Sequence, residues 1–261
     1  MRKQFSYRRI IIRQYDDKNT DQQTLFRIFK ATLKPNMVLK EFKAYYFSGK
    51  LDYIDATLVF HGDKVIGFCS AAFYKSEINH KDYTIGRAAT GILESYRGNA
   101  LPKWNLYKKY IHYWLKHPLR KIILSAYVAN PLIYAMICKY TGFAYPRPFS
   151  EPPQKIVDIK NELLKNQRLQ AKENPPFVVE IHFCVEISDK EQERIFKSKD
   201  GAVRYFLKIN PKFREQHGVV VIIPVNLKNI GFSSGKFLYY YFKNLLADNL
   251  FIPEKQDHIM Q

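Results

Sequence analysis

The chain has 261 residues, of which 46% are hydrophobic and 15% aromatic, and it carries a net charge of +18. A composition this apolar excludes wholesale disorder, and the length allows one large domain or one domain with a substantial extension. The longest apolar runs, such as residues 219–225, fall far short of the ~20 residues that a membrane-spanning helix needs, so no transmembrane segment is expected.

Cysteine usage predicts a cytoplasmic protein without a structural metal. Cys69, Cys138 and Cys184 lie in apolar surroundings and lack CxxC spacing, which is typical of a reduced intracellular chain. Early arginines interrupt any apolar region near the N-terminus, so no secretory signal is expected. No His, Cys, Asp or Glu set has metal-ligand spacing, and no Ser–His–Asp arrangement can be proposed.

Positive charge is concentrated in the first 150 residues. They hold 25 Lys and Arg against 10 Asp and Glu, and residues 95–150 contain nine cations and no acid. A field of this sign attracts polyanions and holds them by ion pairing at contact. The distribution favours a local anion site, and a generally basic solvated surface is the alternative.

In chain order, residues 1–150 alternate between strand and helix patterns. Strands are predicted at residues 10–13, 55–60, 65–74, 83–93 and 122–128, with a hairpin turn at residues 61–64. Helices are predicted from Thr20 or Asp21 to Pro35, then at residues 38–47, 102–116 and 131–140, the last with Gly142 as its C-cap. The order β-α-α-β-β-β-α-β-α indicates the mixed α/β class.

The predicted helix at residues 102–116 carries many aromatic residues and lysines. Its apolar stripe consists of Trp104, Tyr107, Ile111, Trp114 and Leu115, which predicts that this face points to the core. The lysines, including Lys109, lie off the stripe and are expected at the surface.

A proline-rich stretch at residues 146–153 predicts a boundary near residue 150, followed by a C-terminal extension over residues 151–261. Helices are predicted at residues 156–171, 189–198 and 237–246, and strands at residues 177–187 and 218–225. These two strands are the candidates for completing the sheet, with residues 188–217 inserted between them. The final helix is apolar on more than one face, which favours core packing over a role in an acceptor or acyl pocket.

The first segment that carries chemistry is residues 92–102, ILESYRGNALP. A strand that runs into a small-residue loop and then a helix aims several main-chain N–H groups and the helix dipole at one point. Such a junction binds phosphate or pyrophosphate, and Arg97 adds a charge at its rim.

The second segment is residues 128–143, in which Val128-Ala129-Asn130-Pro131 precedes a helix and Gly142-Phe143 follows it. Read by itself, this segment fits any strand followed by a capped helix, and Asn130 fits the N-cap position.

Together and in this order, the two segments resemble the GNAT superfamily of N-acyltransferases. Residues 96–102 look like the acyl-CoA pyrophosphate loop of that family, Arg/Gln-x-x-Gly-x-Gly/Ala. Arg97 matches the first position, whereas Ala100 stands where glycine is usual and Pro102 where glycine or alanine is usual. Asn130 and Gly142-Phe143 resemble its second signature, and residues 65–67 look like part of its β2–β3 hairpin. The resemblance covers residues 8–145 and implies a twisted mixed sheet flanked by helices, here with an extended C-terminal region.

The resemblance also implies roles for particular residues. Ile92 would offer main-chain groups to the acyl carbonyl and the pantetheine arm, and Asn130 would contact the pantetheine chain. The residues that would wrap the pyrophosphate are Arg97, Gly98, Asn99, Ala100 and Leu101. In such families the strands around Ile92 and Tyr127 separate, and the thioester lies between them.

The departures from the family pattern bear on binding and on proton transfer. Ala100 adds a methyl group where the main chain must approach phosphate, and Pro102 removes one donor. Cys138 stands at the family's tyrosine position, so Tyr134 and Tyr140 are the candidate substitutes for protonating the leaving thiolate. Glu94 is the first candidate for a general base, and His80 the second.

The leading functional prediction is therefore an N-acyltransferase that moves an acyl group from acetyl-CoA or another acyl-CoA to an unidentified amine. A donor held on an acidic acyl carrier protein is the first alternative, and a catalytically degenerate binding module for an anionic partner is the second. A nucleic-acid surface is a third and less favoured one, with bases stacked on the aromatic residues of helix 102–116.

Overall fold

The computed structural model describes residues 5–33, 37–47, 49–97, 104–166, 176–181 and 187–250, with the main chain alone for residues 104, 166 and 241–250. The seven strands are β1 (Phe5–Ile12), β2 (Lys50–His61), β3 (Lys64–Ile78), β4 (Lys81–Ile92), β5 (Lys121–Val128), β6 (Val178–Glu180) and β7 (His217–Val225). The helices are α1 (Thr20–Leu33), α2 (Leu39–Phe47), α3 (Trp104–Lys116), α4 (Pro131–Tyr140), α5 (Gln154–Asn166), α6 (Asp189–Phe196), α7 (Gly201–Ile209) and α8 (Leu227–Leu250), and Glu94–Tyr96 is a short 3-10 helix.

All seven strands form one mixed sheet in the order β1-β2-β3-β4-β5-β7-β6. The pair β4–β5 is parallel and the other five pairs are antiparallel. A crossover through α3 connects the parallel pair, as a parallel connection requires. The prediction of a mixed α/β fold with a central mixed sheet flanked by helices is confirmed.

Helices cover both faces of this sheet. On one face, Phe29 of α1 and Phe42 of α2 pack with Phe68 of β3 in a buried cluster. On the opposite face, the ring of Tyr113 on α3 stacks on Phe73 of β3 with 3.9 Å between ring centroids. Because Phe68 and Phe73 are five residues apart on a strand, their side chains point to opposite faces.

The C-terminal residues share a core with the first 150. One cluster joins Tyr83 of β4 and Ile123 of β5 to Ile159 of α5 and Val221 of β7. The strands β7 and β6 extend the sheet beyond β5. The predicted boundary at residue 150 stays a prediction, and α7, with buried Val203 and Phe206, is a helix that was not predicted.

The inward face of α3 differs from the predicted stripe. Tyr110 and Tyr113 are buried, whereas Leu115 is 63% exposed. Lys109, expected at the surface, is buried, contacts the buried carboxylate of Asp55 and donates to Thr57 Oγ1 at 2.8 Å. The ion pair explains the difference, because a buried carboxylate on β2 requires a cation facing it.

Two further expectations were wrong in detail. The C-cap of α4 is Thr141 in an extended conformation, and a Cβ at Gly142 would make a tight contact of 3.0 Å with the ring of Phe232. The last helix, α8, begins at Leu227, ten residues before the predicted start at residue 237. Within the described residues, no helix is long and apolar enough to cross a membrane.

Candidate functional site

The strands β4 and β5 separate in the middle of the sheet. Their parallel ladder runs from Tyr83–Lys121 to Arg87–Ser125 and ends there. Both strands continue, β4 to Ile92 and β5 to Val128, while each keeps its partner on the other side. The main chain of residues 88–92 therefore has no ladder partner on its β5 side, which leaves N–H and C=O groups for another molecule.

Ile92 is the last residue of β4. It pairs with Gly67 of β3, and its side chain lies so close to Gly67 that a Cβ at that glycine would collide with it. Leu93 N donates to Ile66 O at 2.9 Å, which fixes the exit of the strand. The chain then turns through the 3-10 helix, where Glu94 is exposed. Of the predicted pyrophosphate loop, Arg97 is described, while Gly98, Asn99, Ala100 and Leu101 lie outside the described residues.

Asn130 lies between β5 and α4, and it caps this helix. Its Oδ1 accepts from Leu132 N at 2.8 Å, and Pro131 follows as the first helical residue. Asn130 is 6% exposed, and its Nδ2 donates to Glu191 Oε1 at 2.7 Å. Both functions of the amide are thus engaged within the protein.

Glu191 on α6 connects the two predicted donor-binding residues. While one carboxylate oxygen accepts from Asn130, the other lies 3.7 Å from Arg97 Nη1. Sequence reasoning missed this residue, although Ser188 and Glu191 have the spacing of a capping box. Ser188 does cap α6, but the Glu191 side chain points to Asn130 and Arg97. The Glu191 carboxylate therefore pairs with Arg97, the cation that the resemblance assigns to phosphate binding.

The two predicted catalytic tyrosines lie at different places on α4. Tyr134 is fully buried, and its hydroxyl donates to Pro146 O at 2.8 Å. Burial raises its pKa, and it also raises the pKa of the neighbouring Cys138 thiol. Tyr140 is partly exposed and stacks on Phe237 of α8 with ring centroids 4.7 Å apart. Among the described contacts, neither tyrosine touches Glu94.

A cleft of about 1050 Å³ opens near the other end of the β4–β5 ladder, away from the gap beside residues 88–92. It is lined by the first half of β4, the end of β3, the start of β5 and Leu163 of α5. Six cations and two acids line it: Lys50, Lys75, Lys81, Arg87, Arg120 and Lys121 with Glu77 and Asp82. His80, the second candidate base, is fully exposed at this cleft and lies 3.4 Å from Glu77.

Arg87 is the residue that joins this cleft to the point where the strands separate. Sequence reasoning missed it, although it is the one charged residue in the strand pattern of residues 83–92. A single arginine among small and apolar strand residues is a usable signal, because charged side chains are seldom buried without a partner.

Across the described part of the chain, no three His, Cys, Asp or Glu side chains lie together as metal ligands. The expectation of a protein without a metal stays a prediction.

No family model and no curated protein matches this chain. Among solved structures, it is similar to a probable N-acyltransferase from Enterococcus faecalis, with a TM-score of 0.35 and 11% identity over 52% of this chain and 32% of that one. A GCN5-related N-acetyltransferase from Kribbella flavida has a TM-score of 0.32 and 13% identity over 61% and 43%. The N-myristoyltransferase of Saccharomyces cerevisiae, solved with myristoyl-CoA, has a TM-score of 0.32 and 14% identity over 85% and 49%.

These structural neighbours are GNAT-family acyltransferases, the family that the sequence motifs resemble. The chain spans less than half the length of each of the three. TM-scores in this range mark a loose likeness, from which no activity follows for this chain.

Proposed function

We propose that the chain is an N-acyltransferase that takes an acyl group from acetyl-CoA or another acyl-CoA and transfers it to an amine. The observation that carries this proposal is the separation of β4 and β5 beyond Arg87 and Ser125. An extended pantetheine arm is an amide chain, and it fits a gap whose edge offers main-chain donors and acceptors. The thioester then lies beside residues 88–92, within the sheet.

The donor's phosphates belong at the end of β4 in this proposal. Arg97 follows the 3-10 helix and is the described cation at this end of the strand. Ile92 supplies main-chain groups for the acyl carbonyl, and Asn130 stands at the end of β5 for the pantetheine chain. Gly98, Asn99, Ala100 and Leu101 complete the proposed phosphate loop.

The reaction in this proposal is a direct attack. The acceptor nitrogen forms a bond to the thioester carbonyl carbon, the C–S bond breaks, and the proton lost by the amine ends on the thiol of CoA. Main-chain N–H groups that point into the gap stabilise the oxyanion, and positioning of the two substrates supplies much of the remaining rate enhancement.

Glu94, Tyr134 and Tyr140 remain the proposed proton-transfer residues, and their surroundings rank them. Glu94 is exposed and can accept a proton from an incoming amine. Tyr140 retains an exposed portion, while Tyr134 would first have to release Pro146 O. A hydroxyl whose pKa is raised by burial is also a weak proton donor.

One observation supports the alternative of a binding module without catalysis. Glu191 engages both Arg97 and Asn130, so an incoming phosphate has to displace a carboxylate. A donor on an acyl carrier protein stays the other alternative, because it presents the same pantetheine arm without the nucleotide.

The first experiment is calorimetric titration of the purified protein with acetyl-CoA, longer acyl-CoAs and free CoA. We expect micromolar binding that Arg97→Ala weakens roughly tenfold to a hundredfold, since one charge-assisted contact is lost. Arg13→Ala is the matched control, because Arg13 is an exposed arginine outside the site. Absence of heat and of a thermal shift with every CoA species would contradict the proposal.

A further inference from the structure

The guanidinium of Arg87 is surrounded by tyrosines, and no carboxylate of the described residues forms an ion pair with it. Its central carbon lies 4.5 Å from the ring centroid of Tyr45 and 4.6 Å from that of Tyr74. Burial disfavours its charge, while Tyr74, Tyr45, Tyr127 and Tyr46 favour it. Such rings attract a cation, but they do not neutralise it.

Two of the Arg87 nitrogens lack a hydrogen-bond partner among the described residues. Nε and Nη2 are shielded from solvent and unpaired. Its ladder partner Ser125 is 3% exposed, and the Ser125 Oγ is likewise unpaired. Partners in a parallel ladder share a face of the sheet, so the unpaired atoms of Arg87 and Ser125 belong to neighbouring side chains on the same face. Buried donors without partners are rare and costly, which points to a group that completes them.

The chain itself shows what this pair of donors binds. Nε of Arg9 lies 3.2 and 3.1 Å from the two carboxylate oxygens of Asp55, and Nη2 lies 2.6 Å from one of them. Nε and Nη2 form one edge of the guanidinium, which matches the two oxygens of a single carboxylate. The unpaired edge of Arg87 is the same edge.

Arg87 also lies between the two parts of the proposed reaction site. It lines the cationic cleft on one side, and the unpaired main chain of residues 88–92 begins directly after it. A molecule held at Arg87 from the cleft is therefore adjacent to the gap proposed for the thioester. Nε and Nη2 are shielded from solvent in this structure, so binding from the cleft requires the guanidinium to turn its edge toward it.

We propose that Arg87 binds the carboxylate of the acyl acceptor, and that the acceptor is a small amine carrying a carboxylate, of the amino-acid class. This inference rests on the proposed acyltransferase function. The carboxylate pairs with Nε and Nη2 of Arg87, Ser125 Oγ donates a further bond, and the amine is directed toward the thioester. Its nitrogen then bonds to the acyl carbon as the C–S bond breaks, giving an N-acylated amino acid and free CoA.

The experiment compares matched amine pairs that differ by one carboxylate. Lysine and cadaverine, ornithine and putrescine, histidine and histamine, and tyrosine and tyramine are titrated into the protein by calorimetry, together with the other standard amino acids. Transfer from acetyl-CoA is followed in parallel by the release of free thiol. We expect at least one amino acid to bind while its decarboxylated partner binds at least tenfold more weakly.

Substitutions at Arg87 link the preference to this residue. Arg87→Gln should weaken amino-acid binding roughly tenfold to a hundredfold, and Arg87→Lys, which keeps the charge but loses the two-nitrogen edge, should weaken it as well. Arg13→Gln is the control, and thermal unfolding establishes that each variant is folded. Binding of acetyl-CoA should be unchanged in both Arg87 variants.

The outcomes separate this inference from the function on which it rests. Acetyl-CoA binding with no amino-acid binding, with equal binding of the decarboxylated amines, or with binding indifferent to Arg87 overturns the inference alone. Amino-acid binding that depends on Arg87 without any binding of CoA species overturns the acyltransferase proposal and leaves a carboxylate site.

Discussion

At the scale of single residues, the two described side chains that the proposal assigns to the donor are engaged by a carboxylate of the protein itself. Glu191 receives a hydrogen bond from Asn130 and pairs with Arg97. It thereby engages the two side chains that a phosphopantetheine donor would need. In the proposed site, the donor and Glu191 compete for the same groups, so we expect the affinity measured for a CoA species to contain the cost of displacing this side chain.

Removing the competing carboxylate should therefore strengthen donor binding. We expect Glu191→Ala to bind acetyl-CoA roughly tenfold more tightly in calorimetric titration, because a charge-assisted pair at a partly exposed site no longer has to be broken. Glu193→Ala is the control, since Glu193 lies on the same helix and pairs with Lys197 at the surface. Equal or weaker binding by the Glu191 variant would show that the carboxylate does not compete with the donor.

At the scale of elements, the Asn229 side chain connects α8 to the loop after α4 by hydrogen bonds. Asn229 is 4% exposed. Its Oδ1 accepts from Gly142 N at 2.9 Å and Phe143 N at 3.3 Å, and its Nδ2 donates to Phe143 O and to Pro224 O at 3.3 and 2.9 Å. The hydroxyl of Tyr107 on α3 bonds to Ile230 O and Ser234 Oγ. These contacts hold a helix whose glycines and serines give it little intrinsic stability.

Loss of the Asn229 side chain should loosen this attachment. Asn229→Ala leaves the buried N–H groups of Gly142 and Phe143 without an acceptor, so we expect the free energy of unfolding to fall by about 1–3 kcal/mol. Leu227→Ala is the matched substitution, because Leu227 is 73% exposed in the first turn of the same helix and should change stability by no more than ~0.5 kcal/mol. Urea unfolding monitored by circular dichroism measures both. A cost for Asn229→Ala no larger than that of the control would refute the assignment.

At the scale of the whole molecule, a net charge of +18 attracts any polyanion, and the fold decides what such binding can involve. The nucleic-acid alternative needs aromatic rings that stack on bases. Tyr110 and Tyr113 are 6% and 0% exposed, and Tyr107 is bonded to α8. The rings of these three tyrosines are engaged inside the protein and are not free to stack on bases, and the side chain of Trp104 lies outside the described residues.

We therefore expect binding of single-stranded oligonucleotides to be purely electrostatic. Affinity should fall by about a hundredfold or more between 50 and 200 mM salt, and an oligonucleotide of abasic sites should bind as well as one with bases. Fluorescence anisotropy with the two labelled strands measures both quantities. A preference of tenfold or more for the strand with bases would indicate stacking and revive the nucleic-acid alternative.

The sequence by itself determined the fold class and the order of the elements, except for α7, which it did not predict. Alternation of apolar residues, Pro131 at the first position of α4 and the turn at residues 61–64 each act locally, so they can be read without knowing the fold. The same is true of Arg97 at the end of β4 and of Asn130 at the start of α4. For these two, the sequence located the position and the resemblance suggested a role that stays a prediction.

Only the tertiary structure decided which residues meet. Lys109 is buried because Asp55 on a distant strand faces it, and the start of α8 is attached to the loop after α4 because Asn229 finds hydrogen-bond partners there. The meeting of Glu191 with Arg97 and Asn130 depends on strand register and helix docking, and so do the unpaired Nε and Nη2 of Arg87. Pairing energies across long sequence separations leave no periodic signal in the chain, and this is why the candidate acceptor site could be found only in the folded molecule.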